Sequence, residues 1–283
     1  MAIFTNRASL SYNNTVTNSN VVVGNVVETL EITKRAVVST YALGDSITYV
    51  VTVVNSGAVA YNTLTLTDNL GAYSSAPTLI PLTYVEGSLL FYVDGVLQPT
   101  PVVTTGNGLV VTGFNIPAGG SATFVYQVNA NSFAPLDVGS GIVNLAELTG
   151  DSITEPLTAS ATVTPDARPR LSISKSLSPA TVSENGELTY TFVIQNVGNT
   201  PAVATDNVGI TDQFNPILTD LLVTFNDVTW TEGTNYTYLE TTGIFATVPG
   251  QMTIPAATYT QDAITGEWIV EPGVSVLTVT GTV

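Results

Sequence analysis

Two stretches of this chain are one pattern written twice. LEITKRAVVSTYALGDSITYVVTVVNSG begins at Leu30, and LSISKSLSPATVSENGELTYTFVIQNVG begins at Leu171. The pairs Leu30/Leu171, Ile32/Ile173, Lys34/Lys175, Tyr49/Tyr190, Asn55/Asn196 and Gly57/Gly198 keep one interval, so the match runs without a gap. After a short insertion, LTLTDNL (Leu64 to Leu70) pairs with VGITDQF (Val208 to Phe214), and IPAGGSATFVYQV (Ile116 to Val128) lines up loosely with VEPGVSVLTVTGTV (Val270 to Val283). A repeat of this length in 283 residues predicts two domains built alike. Apolar and polar residues alternate with period two in short runs punctuated by Gly, Pro and Asn, and no stretch keeps a helical period. The expected class is all-β, with two tandem sandwiches.

The two copies end differently. The first continues through NLAELTG and then LTASATVTP (Leu157 to Pro165), which read as a closing hairpin, whereas the second stops at Val283. The counterpart of that hairpin lies at the other end of the chain. NRASLSYN followed by NSNVVVG (Asn18 to Gly24) resembles NLAELTG followed by ASATVTP. The expected order is an N-terminal hairpin (residues 1–24), a complete sandwich (25–165) and a second sandwich lacking its last strands (166–283). ARPR (Ala167 to Arg170) reads as a short, stiff linker between the copies.

Composition excludes several function classes. Six Lys+Arg against 22 Asp+Glu give a net charge of −16, spread without a long acidic run. That disfavours nucleic acid and anionic membranes as partners. Without Cys or His the chain builds no thiol or Ser–His nucleophile, no thiolate or imidazole zinc site and no disulfide. No apolar run approaches the ~20 residues of a membrane span, and no secretory signal is seen at Met1. The expectation is a non-enzymatic protein without cofactors or metal, placed outside the cell or on a spore surface.

The pattern K…GD.ITY.V.V.NSG…L.LTD.L…P.GG.ATF.Y.V…N.A.LTG resembles the repeat domain of unknown function strung along large surface proteins of bacteria and archaea. It covers the first copy nearly completely and the second without its end. The resemblance implies Ig-like β-sandwiches used as stalk or structural modules.

A sandwich lacking its last strands exposes an unpaired edge and an apolar groove, which an extended segment from a neighbour can fill. Parity places Asn6, Ala8, Leu10 and Tyr12 on one face of the N-terminal strand, with Val21 and Val23 as apolar partners in the return strand. Donated to the second domain of another copy, this hairpin makes a heterologous contact and so a head-to-tail homopolymer. Three alternatives stand beside it: the hairpin folds back onto its own second domain, it adds strands to the first, or the natural chain extends beyond Val283. A monomeric adhesive stalk module is the competing function. No anchoring protein is identifiable from the sequence.

Lys34 and Lys175 are the chain's only lysines, at equivalent positions. In LEITK and LSISK each shares parity with the inward Leu and Ile. The same test points Asp68 inward with Leu64 and Leu66, Asp212 with Val208 and Ile210, and Asn144 with Ala146 and Leu148. Desolvation favours a neutral amine, which is a nucleophile, so one Lys, one Asp and one Asn in an apolar pocket can yield a Lys–Asn isopeptide bond. This resembles the autocatalytic crosslinks of Ig-like adhesin and pilus domains. The candidate sets are Lys34, Asp68 and Asn144 in the first domain, and Lys175 and Asp212 with Asn6 of a neighbouring subunit. The plainer readings are an uncrosslinked ion pair bonded to Asn144, or exposed lysines.

Other signals are weaker. Asp/Asn pairs such as 68–69 and 206–207 read as solvated turns rather than Ca²⁺ ligands. Asn13 and Asn235 sit in N-x-T sequons, Trp230 and Trp268 read as core, and residues 229–260 have no secure reading.

Overall fold

The computed structural model describes residues 2–26, 29–73 and 78–283. It is all-β and divides into two compact units: residues 1–39, 45–130 and 143–163 form one, and residues 40–44, 131–142 and 164–283 the other.

The first unit opens with the N-terminal hairpin, whose strands are β1 (Ala2–Asn6), β2 (Ser9–Tyr12), β3 (Thr15–Asn18) and β4 (Val22–Val26). β4 runs two residues past the expected boundary at 24. β1 pairs with β4 and β2 with β3, and none of the four joins another sheet. The two-residue turn Asn13–Asn14 has positive φ at both positions (44° and 62°), as such hairpin turns require.

After the hairpin come β5 (Leu30–Ala36), the short β6 (Thr40–Tyr41), β7 (Ser46–Asn55), β8 (Tyr61–Asp68), β9 (Leu82–Tyr84), β10 (Leu90–Val93), β11 (Val96–Gln98), β12 (Val102–Thr105), β13 (Leu109–Ile116), β14 (Ser121–Ala130), β15 (Ile142–Thr149) and β16 (Leu157–Pro165). One sheet has the order β11-β10-β14-β7-β5 and the other β12-β13-β8-β15-β16. The alternation seen in the sequence is the burial pattern. Ile47, Tyr49, Val51 and Val53 of β7 and Ala122, Phe124, Tyr126 and Val128 of β14 point into the core, where Phe91, Phe114 and Phe124 cluster with centroids 4.8–5.9 Å apart.

The second unit contains β17 (Leu171–Ser178), β18 (Glu187–Asn196), β19 (Thr211–Gln213), β20 (Thr219–Phe225), β21 (Val228–Thr229), β22 (Tyr236–Leu239), β23 (Ile244–Thr247), β24 (Thr258–Gln261), β25 (Trp268–Glu271) and β26 (Gly273–Thr282). Its sheets run β17-β18-β26-β20-β21 and β19-β23-β22, with β24 and β25 a separate hairpin. The stretch without a secure reading supplies β22 and β23. Trp230 lies in the core against Phe225. The repeat holds down to register: Leu30 faces Asn55 and Lys34 faces Val51, as Leu171 faces Asn196 and Lys175 faces Phe192.

One repeated residue closes the same loop in both copies. Buried Asn55 donates to the carbonyls of Val59 and Pro117, both at 2.8 Å, and accepts the Gly57 N–H. Asn196 donates to the carbonyls of Thr200 and Pro255 and accepts the N–H groups of Gly198 and Arg170. Removing the amide strands several backbone groups, so Asn55→Ala and Asn196→Ala should each cost about 3 kcal/mol in urea denaturation, far more than a surface substitution.

Candidate functional site

In the first unit, Lys34 of β5 crosses the sandwich interior to Asp68 at the end of β8. Its Nζ lies 2.5 Å from Asp68 Oδ2, and the two side chains are 0% and 1% exposed. The Tyr126 hydroxyl also donates to Asp68 Oδ2, and Asp68 Oδ1 accepts the Leu70 N–H at 2.9 Å. The Tyr49 ring stacks near Tyr126 and lies 4.9 Å from Lys34 Nζ. Burial lowers the Lys34 pKa to about 8, against the opposing pull of Asp68. At pH 7 that leaves about a tenth of the amine neutral, against roughly one in three thousand for an ordinary lysine.

Asn144 of β15 completes this pocket. β15 pairs with β8, setting Ala146 opposite Asp68, and Asn144 is wholly buried. Its Oδ1 accepts the Gly71 N–H at 3.2 Å, a donor shared with Asn69. Neither Asn144 Nδ2 nor the Tyr49 hydroxyl has a partner within hydrogen-bonding distance. The two are near enough for the amide to oppose the upward shift that burial, and secondarily Asp68, impose on the Tyr49 phenol. The arrangement brings together an amine whose pKa burial lowers, a carboxylate in direct contact with it, and a carboxamide whose oxygen accepts a backbone N–H.

The second unit repeats the lysine and carboxylate without the cover. Lys175 pairs with Asp212, and these side chains are 38% and 20% exposed. β19 pairs with β23 on one side, as β8 pairs with β13, but no described strand occupies the position that β15 holds beside β8. All eight residues of β17 are exposed, including Leu171, Ile173 and Leu177, whereas Leu30 and Lys34 of β5 are buried. Three rings surround Lys175 Nζ: Tyr190 at 4.2 Å, Phe192 at 5.3 Å and Phe214 at 5.5 Å. The first copy has Val51 and Leu70 where these phenylalanines stand. Val279, opposite Tyr190, replaces Tyr126, opposite Tyr49. Sequence reasoning passed over these ring and hydroxyl differences, which aligning the copies at those positions displays.

The hairpin carries exposed apolar groups on both faces, among them Ile3, Phe4, Leu10, Tyr12, Val16 and Val22. Asn6 pairs with Val22, Leu10 with Thr17 and Tyr12 with Thr15. Val23 faces Thr5 and Val22 faces Asn6, while Val21 precedes β4. Ala8 is fixed to Ser19 by two hydrogen bonds: its carbonyl accepts the Ser19 N–H at 2.9 Å, and its N–H donates to the Ser19 hydroxyl at 3.0 Å. Among the described residues, no group of three or more acidic side chains is placed to hold a metal ion, and no helix is long and apolar enough to cross a membrane.

No protein-family model and no curated protein matches the chain, so the likeness to surface-protein repeats rests on the motif itself. Solved structures give distant matches. The pilus backbone RrgB of Streptococcus pneumoniae is 14% identical over 86% of this chain and 55% of its own, with a TM-score of 0.36. The major pilin subunit BcpA of Bacillus cereus is 11% identical over 96% of this chain and 73% of its own, at 0.35. The group B streptococcus pilus 2b backbone protein is 12% identical over 85% and 79%, at 0.36. The chain thus spans about half the length of the first of these, and likenesses at this level assign no property to it.

Two outcomes test the asymmetry. Asp68→Ala strands a buried ammonium and should cost about 3–5 kcal/mol, whereas Asp212→Ala should cost no more than about 1 kcal/mol by the same denaturation assay. In Asn144→Ala, which keeps the Lys34–Asp68 pair, stability should rise between pH 8 and about 10. In that window the unfolded chain still holds the Lys34 proton while the folded one sheds it; below it both states are charged and the full burial cost remains. A flat urea midpoint across the window would remove the burial account.

Proposed function

We propose that the chain is the structural subunit of an extracellular or spore-surface filament. The N-terminal hairpin of one copy occupies, in the second unit of the next, the position that β15 and β16 hold in the first. The observation that carries this reading is one motif in two situations. NLAEL sets Asn144, Ala146 and Leu148 into a closed core beside β8, while NRASL stands in a solvent-exposed hairpin and, in the second unit, all of β17 is exposed and no described strand takes the place of β15 beside β19. An isolated hairpin is marginal in water, and an unpaired edge beside exposed apolar side chains takes whatever strand fits. Carrying the β15–β8 register over sets Ala8 opposite Asp212 and Leu10 opposite Ile210, with Asn6 in the place of Asn144. The contact joins different surfaces and propagates head to tail.

Covalent locks follow from the same residues. In the first unit, Lys34 passes a proton to Asp68, and the neutral Nζ attacks Asn144 Cγ. The developing oxyanion is held by the Gly71 N–H. Asp68 then delivers its proton to Nδ2, which leaves as ammonia, and takes up the second Nζ proton, ending protonated beside a neutral secondary amide. One C–N bond forms and one breaks, with no oxidant or cofactor. Asn6 and Lys175 give the equivalent bond between subunits.

Electron microscopy of the purified chain should show filaments, and Leu10→Asp should leave monomers with unchanged melting of the first unit. Peptide mass spectrometry after boiling in detergent should find Lys34–Asn144 and Lys175–Asn6 pairs, each lighter by one ammonia. Wild-type protein that stays monomeric, or Leu10→Asp protein that polymerises normally, overturns strand donation. Absence of both peptides leaves a noncovalent polymer.

A further inference from the structure

We infer that Lys175 is a docking-gated nucleophile: its surroundings in the free subunit hold it as an ammonium, and the arriving strand of a second copy both uncages it and presents the carboxamide it attacks. This deepens the strand-donation reading and rests on it. The two lysines share position, register and carboxylate partner but differ in everything that sets reactivity. Lys34 is sealed from water by its own chain, whereas the Lys175 side chain is 38% exposed. Lys34 has one ring near its Nζ; Lys175 has three, two of them phenylalanines where the first copy carries Val51 and Leu70. Ring faces attract an ammonium and have no such attraction for a neutral amine, so this half-cage and the surrounding water favour the unreactive form. The hydroxyl that Tyr126 directs at Asp68 has no counterpart at Val279.

Docking changes the balance. Ala8 and Leu10 cover the groove and expel water, which makes the ammonium costly and sends its proton to Asp212. The neutral Nζ then attacks Cγ of the second copy's Asn6 and a C–N bond forms; Nδ2 leaves as ammonia with the proton that Asp212 held, and Asp212 takes up the second Nζ proton. Because burial and carboxamide arrive together, Lys175 is protected from joining any other Asn or Gln. Crosslinking is thereby restricted to correctly seated neighbours.

The test uses full-length chain, acetylated with acetic anhydride either as dilute subunits or as filaments of Asn6→Ala, which seats without forming the bond. Peptide mass spectrometry then reads Lys175. Its acetylation should be at least about tenfold slower in the filaments. Dilute wild-type subunits should show no Lys175 bond to any carboxamide. Phe192→Val, which opens the cage to the first copy's identity, should shift the pH midpoint of Lys175–Asn6 bond formation down by about half a unit while filaments still form; Phe192→Leu is the substitute if that variant misfolds. Failure to form filaments refutes strand donation itself. Filaments in which Lys175 acetylates freely, crosslinks in dilute subunits, or an unmoved pH midpoint refute the gate and leave donation standing.

Discussion

The position beside the Asp-bearing strand governs what every neighbouring side chain does. A sandwich of this kind has one strand whose removal opens both a ladder edge and the interior face behind it. In the first unit β15 fills that position, and Leu30, Lys34 and Asp68 are shut away from water. In the second unit residues of the same types, at the same register, face solvent along the whole of β17. The two copies differ in this cover and in the side chains around the lysine, Val51 and Leu70 of the first standing where the second has Phe192 and Phe214. Covering the exposed Leu171, Ile173 and Leu177 of β17 would be worth several kcal/mol at usual transfer values.

That cover also changes the chemistry. A charged amine tolerates a half-open groove, where water and ring faces both solvate it. The same amine under a closed lid keeps its proton only at a cost, and the neighbouring carboxylate is the nearest base. Lys34 stands on the closed side of this division and Lys175 on the open side. Asp166, by contrast, binds Arg168 and Arg170 in ordinary, partly exposed pairs.

Much of this was legible in the sequence because it is carried by period and repeat. Period-two alternation predicted the all-β class, the fixed interval between the copies predicted two domains built alike, and parity placed Lys34, Asp68 and Asn144 inward. What escaped was information held in cross-strand pairing. Between the two ladders the pairing shifts by one residue, Ser9 facing Asn18 but Asn6 facing Val22, and no single-strand parity count detects such a shift. Residues 229–260 failed for a related reason: their short strands β22 and β23 are separated by turns and close approaches that blur alternation. Asn55 and Asn196 were visible as repeated residues, yet their role as loop latches depends on carbonyls far along the chain, at Pro117 and Pro255.

The placement of Lys34 and Asn144 has a mechanical meaning. β5 is the strand by which the chain enters the first sandwich, and β15 is the next to last before it leaves. A bond between their side chains would carry a pull applied at the two ends across the sandwich through covalent links, sparing most of the hydrogen-bond ladders between. Such a module would stretch little and regain its length on release, as a thread exposed to flow requires.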